Sequence, residues 1–377
     1  MTKINLITAI CLVVVLVGAI HCSRETEQPP LKDVFRTNFM IGMAPNDDIM
    51  AGKDPQAADI ILKHSNTITA ENVMKWALIH PEPDRYDFEA ADRFVAFGEQ
   101  HKLFMVGHTL VWHTQIPDWA FVDKSNKPLK RDAMLARMKE HIQTVVGRYK
   151  GRVHAWDVVN EALSDEGPLQ KTKWLETIGE DYIAKAFEYA HEADPDAELY
   201  YNDFSIEQPA KREATVRLVK DILAKGLRVD GVGIQGHWGM DYPIPEDFEA
   251  LVNEIAALGL KVMVTELDLD ILPPALDYRG AEITQTAEFQ KEFNPYPDGL
   301  PEEMQQKHAD RYTEIFRMML KHSDNISRVT FWGVYDKTSW LNNWPIRGRT
   351  SYPLLFDRTY QAKPAFYAVV ETAEEGK

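Results

Sequence analysis

The chain has 377 residues, of which 45% are hydrophobic and 27% charged, so it can bury a sizeable core and does not have the composition of a disordered protein. Its formal net charge is −16 and its sequence contains no run of Lys or Arg, which argues against binding to nucleic acid or to an anionic membrane surface. A neutral polymer is a more suitable partner for such a chain.

The first 22 residues have the pattern of an export signal. Lys3 precedes an apolar run from Ile4 to Ile20, with small residues near its end. A transmembrane anchor is the alternative, because the run approaches the length that spans a bilayer. Since there is one such run and polar residues follow it at once, we expect an exported protein in the periplasm, at the cell surface or outside the cell.

Cys22, directly after the apolar run, resembles a bacterial lipoprotein site, although His21 stands where a small residue is usual. A lipid anchor at Cys22 and a soluble exported form are both left open. Residues 23–34 are predicted to form a polar tether, followed by one domain over residues 35–373. Cys11 lies within the signal, so the mature chain keeps at most one cysteine and forms no internal disulfide.

Strand-like and helix-like segments alternate along the rest of the chain. Eight strands are predicted, at Phe39 to Met43, Thr67 to Glu71, Phe104 to His108, His154 to Val159, Glu198 to Asn202, Gly231 to Gln235, Lys261 to Glu266 and Val329 to Val334. Helical spacing of apolar residues occurs at Glu89 to His101, Arg131 to Tyr149, Tyr182 to Ala193, Lys211 to Lys225, Pro245 to Leu258 and Glu303 to Lys321.

This alternation predicts an α/β fold, a single (β/α)8 or TIM barrel with a long loop after the seventh strand. The loop runs from Leu269 to about Gly299 and is rich in proline and acidic residues. Its segment from Leu272 to Asp298 matches no motif, and loops of this length usually form a wall or lid of a functional site.

Polar or aromatic residues follow every predicted strand after the first. The clusters are Glu71-Asn72 with Lys75-Trp76, Gly107-His108-Thr109 with Trp112-His113, Asn160-Glu161, Tyr201-Asn202-Asp203, Gln235-Gly236-His237-Trp238, Glu266 with Asp268, and Trp332 with Asp336 and Trp340. Loop solvation explains polar residues at one strand end, but seven clusters in phase indicate a site at the carboxyl edge of the barrel.

Tryptophan usage gives this edge a chemical character. Of the nine tryptophans, only Trp174 lies away from the clusters or the segments beside them. Aromatic faces at a polar cleft suit the apolar faces of sugar rings. Two of the clusters also supply glutamates, Glu161 and Glu266, and two facing carboxylates are the minimal equipment for cleaving a glycosidic bond.

Five runs resemble those of family 10 glycoside hydrolases, the endo-β-1,4-xylanases. They are Thr69-Ala70-Glu71-Asn72-Val73-Met74-Lys75-Trp76, Gly107-His108-Thr109-Leu110-Val111-Trp112-His113, Trp156-Asp157-Val158-Val159-Asn160-Glu161, Gly233-Ile234-Gln235-Gly236-His237 and Thr265-Glu266-Leu267-Asp268. The resemblance extends from about Phe35 to Val370. It implies an enzyme that cuts internal bonds of xylan, arabinoxylan or xylo-oligosaccharides with retention of configuration through a covalent intermediate. We expect the protein to be a monomer, although the sequence leaves the oligomeric state open.

The resemblance also implies a role for each matching residue. Glu161 corresponds to the general acid/base and Glu266 to the nucleophile, with carboxyl groups about 5 to 5.5 Å apart. His237, paired with Asp268, corresponds to the residue that orients the nucleophile and keeps it ionised. Asn160 corresponds to the residue that binds the 2-hydroxyl of the sugar being cleaved.

Further residues are expected to line the sites on the glycone side. They are Glu71, Asn72, Lys75, His108, Trp112, Gln235, Trp332 and Trp340. A structural ion pair is the alternative for Lys75 with Glu71, and His113 is expected to be structural because the sequence gives it no charged partner. No cofactor is implied, and the sequence has no metal-ligand spacing such as His-Glu-x-x-His and no phosphate-binding glycine loop.

Two alternatives remain beside a xylanase. A retaining β-1,4-glucanase or cellobiosidase of the same fold differs only in accepting a hydroxymethyl group, which depends on how Trp332 and Trp340 shape the pocket. A non-catalytic protein that binds xylo-oligosaccharides is the third interpretation, but such a protein has no use for both glutamates together with His237 and Asp268. One departure from the family is Phe204-Ser205, where Tyr-Asn is more usual.

Overall fold

The computed structural model describes residues 28–273, 292–344 and 347–375. The predicted export signal, including Cys22, lies outside the described residues. The same holds for residues 274–291, which make up most of the loop from Leu272 to Asp298.

Nine parallel strands are present in the described ranges. They are β1 (Met40–Met43), β2 (Thr67–Thr69), β3 (Phe104–Val111), β4 (Ala155–Asn160), β5 (Glu198–Asp203), β6 (Gly231–Ile234), β7 (His237–Gly239), β8 (Lys261–Asp270) and β9 (Ile326–Phe331). All except β7 form a closed ring, because β6 pairs with β8 and β9 pairs with β1. The predicted eight-stranded (β/α)8 barrel is therefore confirmed.

Helices surround this barrel. Their bounds are α1 (Leu31–Val34), α2 (Asp47–Met50), α3 (Pro55–His64), α4 (Trp76–Ile79), α5 (Glu89–His101), α6 (Arg131–Arg148), α7 (Lys173–Ile178), α8 (Tyr182–Ala193), α9 (Pro209–Ala224), α10 (Pro245–Ala256), α11 (Glu302–Lys321) and α12 (Pro364–Glu375). Within the described ranges, no helix has both the length and the apolar character needed to cross a bilayer.

Local sequence signals determine where several helices begin. Asp54 caps α3 by accepting a hydrogen bond from the Ala57 N–H at 3.1 Å, and Pro55 occupies the first helical position. Thr172 caps α7 in the same way, accepting from the Leu175 N–H at 3.2 Å. These caps bond N–H groups that lack a partner in the first helical turn.

The domain begins earlier than the sequence indicated. Helix α1 falls within residues 23–34, which were predicted to be a tether, yet Leu31 is fully buried in the core. Phe35 follows it and packs against Phe39 and Phe316, with ring centroids 5.2 Å away in each case. The polar residues before Leu31 hid a segment that packs against the barrel. The last four residues of the predicted tether, 31–34, therefore belong to the domain.

Strand ends also differ from the prediction at the carboxyl end of the barrel. β2 ends at Thr69 rather than Glu71, whereas β8 continues to Asp270 instead of ending at Glu266. The extension of β8 has a structural reason, because the short strand β7 pairs with it in the register His237 to Asp268. This pairing holds two of the predicted site residues side by side.

The opposite end of the barrel is closed by a buried charge. Arg328 is 2% exposed and donates to Glu198 Oε2 at 2.7 Å. Its guanidinium lies over the rings of Phe104 and Tyr200, 4.5 and 5.1 Å from their centroids. Since Glu198 and Phe104 begin β5 and β3, this cluster plugs the amino-terminal end and leaves the carboxyl end for the site.

Buried histidines make the fold sensitive to acid. Burial lowers the pKa of His64 to about 3, and it lowers the pKa of His141 and His308 well below the ordinary value. The unfolded chain therefore binds protons first as the pH falls below about 6.5, and stability is lost in that direction. For His64 alone, we expect the free energy of unfolding to fall by about 2 kcal/mol between pH 7 and pH 5.

Urea unfolding at pH 7 and pH 5 measures this loss. His64→Gln removes one titrating group, so the difference in unfolding free energy between the two pH values should shrink by about 2 kcal/mol. An unchanged pH dependence in His64→Gln would show that His64 does not contribute to the acid sensitivity.

Candidate active site

The two glutamates lie at the carboxyl end of the barrel on different strands. Glu161 is the first residue after β4, and its N–H donates to the carbonyl of Asn202 on β5 at 2.9 Å. Its φ is +56°, in the left-handed region that residues with a side chain seldom adopt. Glu266 lies on the extended β8 and is 4% exposed. An unfavourable backbone at Glu161 persists only because its surroundings hold it there.

Three donors hold the Glu161 carboxylate. The Trp112 indole N–H donates to Oε2 at 2.8 Å, and the Gln235 amide donates to Oε1 at 2.9 Å. The Asn160 amide also donates to Oε1, at 3.3 Å. These donors come from β4 and from the segments that follow β3 and β6, so the barrel itself fixes the direction of the carboxylate.

The Glu266 carboxylate is held by an amide and a histidine. Asn202 donates to Oε1 at 2.8 Å, and His237 Nε2 lies 3.2 Å from Oε2. On its other side, His237 Nδ1 lies 3.0 Å from Asp268 Oδ1. Asp268 accepts from the Trp340 indole N–H at 2.7 Å through its second oxygen. The predicted pair of His237 and Asp268 is thus in contact with Glu266.

The electrostatics of the contacting residues Glu266, His237 and Asp268 favour a charged His237 and an ionised Glu266. Burial lowers the pKa of His237, but the hydrogen bonds and negative charges of Asp268 and Glu266 raise it by more. The pKa of His237 is therefore raised to about 10. Burial raises the pKa of Glu266, and this effect is outweighed by the hydrogen bond from His237 and by the nearby His108 and Lys75, so the pKa is lowered overall. Glu266 is therefore an anion at neutral pH, as a nucleophile has to be.

Side-chain amides connect the two carboxylates. Asn160 Oδ1 accepts from Asn202 at 2.9 Å and from Gln235 at 3.3 Å, so one chain of amides runs from Glu161 to Glu266. Gly233 makes room for it, because a Cβ at that position would lie 2.3 Å from Asn202 Oδ1. The separation of 5 to 5.5 Å between the carboxyl groups stays a prediction.

The predicted glycone-side residues form the adjoining wall. Lys75 donates to Asn72 at 2.9 Å, and its ammonium lies 5.1 Å from the Trp112 ring and 5.9 Å from the Trp332 ring. Lys75 and Glu71 both lie in the described part of the chain and form no close ion pair there. Burial raises the pKa of Glu71 and Lys75 opposes this only in part. The alternative of a structural ion pair is therefore not the arrangement observed.

His108 completes this wall together with a residue that the sequence analysis did not assign. His108 Nδ1 lies 2.9 Å from Asp157 Oδ2, and both side chains are buried. The His108 ring packs edge-on against Trp332, with centroids 5.3 Å apart. An acid inside the apolar strand β4, opposite His108 in register, was the signal that could have revealed Asp157.

Trp174, the tryptophan outside the sequence clusters, also supports the site. Its indole N–H donates to the Trp112 carbonyl at 2.9 Å, and its ring lies 5.7 Å from that of Trp76. His113 has a charged neighbour that the sequence did not indicate. Burial lowers the pKa of His113, and the charge of Glu161 opposes that shift. Both residues flank the Trp112 to Glu161 contact.

The residues that the structure describes contain no cluster of three His, Cys, Asp or Glu side chains suited to a metal ion. The site consists instead of two carboxylates, amide donors, a charged histidine and aromatic faces. On a (β/α)8 barrel, this combination defines a glycoside hydrolase, because each element serves either the cleavage of a glycosidic bond or the binding of a sugar ring.

Comparison with known proteins identifies the family. The family model described as glycosyl hydrolase family 10 matches residues 30–372. The chain is 46% identical over 347 residues to the endo-1,4-beta-xylanase A of Xylanibacter ruminicola, covering 92% of this chain and 94% of that protein. The chain therefore belongs to glycosyl hydrolase family 10.

Solved structures agree with this assignment. A family 10 endoxylanase from a sugarcane soil metagenome superposes with a TM-score of 0.86 at 43% identity, covering 92% of this chain and 99% of that one. An intracellular xylanase from Thermoanaerobacterium saccharolyticum, solved as a variant in complex with xylotriose, has a TM-score of 0.79 at 36% identity, with coverage of 92% and 99%.

Proposed function

We propose that this chain is an endo-β-1,4-xylanase that hydrolyses internal bonds of xylan or arabinoxylan with retention of configuration. The observation that carries the proposal is the placement of an ionised Glu266, oriented by His237, alongside a separately held Glu161. Similar proteins named as xylanases, and one solved with xylotriose, support xylose polymers as the substrate class.

In the proposed first step, Glu266 attacks the anomeric carbon and forms an ester with it. Glu161 gives its proton to the glycosidic oxygen, and the aglycone leaves as an alcohol. The charged His237 keeps Glu266 ionised and directs one of its oxygens. Asn160 contacts both Glu161 and the Asn202 amide that holds Glu266, and we assign it the binding of the 2-hydroxyl of the sugar at the cleavage point.

In the second step, water replaces Glu266. Esterification removes the negative charge of Glu266, which makes the ionised form of Glu161 more favourable than before. Glu161 then takes a proton from water as the water oxygen attacks the anomeric carbon, and Glu266 leaves as a carboxylate. Two successive inversions return the original β configuration.

The aromatic wall favours xylose over glucose. Trp340 is fixed on two sides, by its hydrogen bond to Asp268 and by its contact with the His237 ring at 4.9 Å between centroids. Trp332 is buried, with an exposed fraction of 7%. We therefore expect these two indoles to crowd the hydroxymethyl group that distinguishes glucose from xylose. The β-1,4-glucanase or cellobiosidase alternative requires these rings to move.

A parallel hydrolysis assay tests the proposal. Purified protein is incubated with soluble arabinoxylan and with a soluble β-glucan, and viscosity and reducing ends are followed together. We expect the viscosity of arabinoxylan to fall well before reducing ends accumulate, because internal cuts shorten long chains first, while the glucan stays unchanged. Equal attack on the glucan would favour the glucanase, and the absence of reducing ends from both polymers would favour a binding protein.

We also propose that the enzyme is exported, acts as a monomer and is anchored, if at all, through Cys22. The support for export and for the anchor is the residue pattern of the first 22 positions, which lie outside the described residues. Fractionation of cells that express Cys22→Ala tests the anchor. Release of the variant into the soluble exported fraction is the expected result for a lipid-anchored protein, and a variant that stays membrane-bound would exclude Cys22 as the anchor.

A further inference from the structure

The backbone turn that carries Glu161 is held by groups from the neighbouring strand β5. The N–H groups of three consecutive residues are used: Glu161 donates to the Asn202 carbonyl at 2.9 Å, and Ala162 to the Tyr201 hydroxyl at 3.2 Å. Leu163 donates to Asp203 Oδ2 at 3.4 Å. Strand β5 therefore holds the backbone of this turn, mostly through the side chains of Tyr201 and Asp203.

These two side chains are themselves fixed by a buried charge network. The Tyr201 hydroxyl donates its hydrogen to Asp203 Oδ2. The Tyr201 oxygen is therefore oriented to accept from the Ala162 N–H. Asp203 Oδ1 pairs with Lys211 Nζ at 2.9 Å and accepts from the Phe204 N–H at 2.9 Å. Tyr201, Asp203 and Lys211 are each fully buried. Helix α9 carries Lys211, so the network is tied to the barrel wall.

We propose that Tyr201, held by Asp203 and Lys211, is a positioning residue for Glu161 that fixes the turn from which this carboxylate serves as acid and base. The inference rests on the proposed role of Glu161. The Tyr201 hydroxyl bonds the Glu161 turn and Asp203 but neither Asn202 nor His237, the two residues that hold Glu266, so we expect its loss to act mainly on Glu161.

The physical reason lies in the backbone of Glu161. Its left-handed conformation is unfavourable for a residue with a side chain and needs support from its surroundings. Without the Tyr201 oxygen, the buried Ala162 N–H loses its acceptor, and the turn gains by relaxing toward another conformation. Any such movement takes the Glu161 carboxylate away from Trp112 and Gln235, and a displacement near 1 Å is enough to impair proton transfer strongly.

Tyr201→Phe tests this with a minimal change in volume. Two substrates are compared, 2,4-dinitrophenyl β-xylobioside and an unactivated xylo-oligosaccharide. The first has a leaving group that departs without a proton, so its kcat/KM depends on Glu266 but not on acid assistance. We expect kcat/KM to fall about 10- to 100-fold on the oligosaccharide and less than about 3-fold on the dinitrophenyl substrate.

Tyr200→Phe is the matched control. Tyr200 is the preceding residue on β5 and is also buried, but its hydroxyl donates to Glu198 at 3.0 Å, near the amino-terminal end of the barrel. We expect this variant to lose a similar hydrogen bond without any preference between the two substrates. If Tyr201→Phe loses activity equally on both substrates, or on neither, the inference is overturned.

Glu161→Ala, assayed beside these variants, separates the two possible failures. A preferential loss on the oligosaccharide in Glu161→Ala but not in Tyr201→Phe refutes the positioning role alone. If Glu161→Ala itself loses activity equally on both substrates, then Glu161 is not the acid, and the proposed function fails together with the inference.

Discussion

Glu266→Ala is expected to lose activity by about 10⁴- to 10⁶-fold on every substrate, including those with activated leaving groups. The variant lacks the oxygen that forms the bond to the anomeric carbon, and no leaving group compensates for an absent nucleophile. Water is a poor substitute because the amides and the charged histidine around this position are arranged for a carboxylate. The measurement is kcat/KM on xylan oligosaccharides and on 2,4-dinitrophenyl β-xylobioside.

Added azide makes this prediction specific to a nucleophile. A small anion can enter the space left by the carboxylate and attack the anomeric carbon, while Glu161 still assists departure of the leaving group. One inversion then gives an α-configured xylobiosyl azide. Glu254→Ala, on the exposed face of α10, is the control and should keep full activity. Substantial residual activity in Glu266→Ala without azide would contradict the assignment of the nucleophile.

Glu161→Ala is expected to discriminate between substrates. On an unactivated xylo-oligosaccharide, kcat/KM should fall about 10²- to 10⁴-fold, since the leaving oxygen departs without a proton. On the dinitrophenyl substrate the first step needs no acid, so kcat/KM should change less than about 10-fold. Hydrolysis of the ester to Glu266 needs a base, however, so kcat on this substrate should fall, and KM should fall with it as the covalent intermediate accumulates.

Azide again distinguishes the role, with the opposite stereochemistry. In Glu161→Ala, azide attacks the covalent intermediate without needing a base, so the product is the β-configured azide and kcat rises. Glu166→Ala, an exposed glutamate of the same loop, is the control and should resemble the parent enzyme. An α-configured azide from this variant would mean that the roles of the two glutamates are exchanged.

Much of the site was accessible from sequence because strand ends in a barrel share one edge. Apolar runs that stop at polar residues identified the carboxyl ends of the strands, and the parallel topology then brought those ends together. Glu161, Glu266, His237 and Asp268 could therefore be placed in one site without knowledge of their distances. The register between β7 and β8 now explains why His237 and Asp268 touch.

Other residues could not be recognised because their role depends on side-chain direction. Asp157 reads as an ordinary member of strand β4, and Asn202 belongs to a predicted polar cluster without an assigned role. Only the register and the contacts show that Asp157 faces His108 and that Asn202 faces Glu266. Tyr201 is similar, since its function comes from the backbone of a neighbouring loop rather than from a motif of its own. Contacts between strands that are far apart in sequence leave no periodic signal.

The limits of the domain were hidden for a different reason. Helix α1 is only four residues long, and two of them, Leu31 and Val34, pack on the core. A single helical turn shows no repeat from which a buried face can be inferred. The short length and polar flanks therefore favoured the prediction of a tether over that of a packed helix.

The configuration of the first product tests the central claim most directly. Proton NMR is recorded within the first minutes of xylo-oligosaccharide hydrolysis by the purified protein, before the anomers equilibrate. Retention by Glu161 and Glu266 predicts that the β-anomer appears first and the α-anomer only later, by mutarotation. An α-anomer at the earliest times would mean a single displacement by water, and the roles given to Glu266 and His237 would then be wrong.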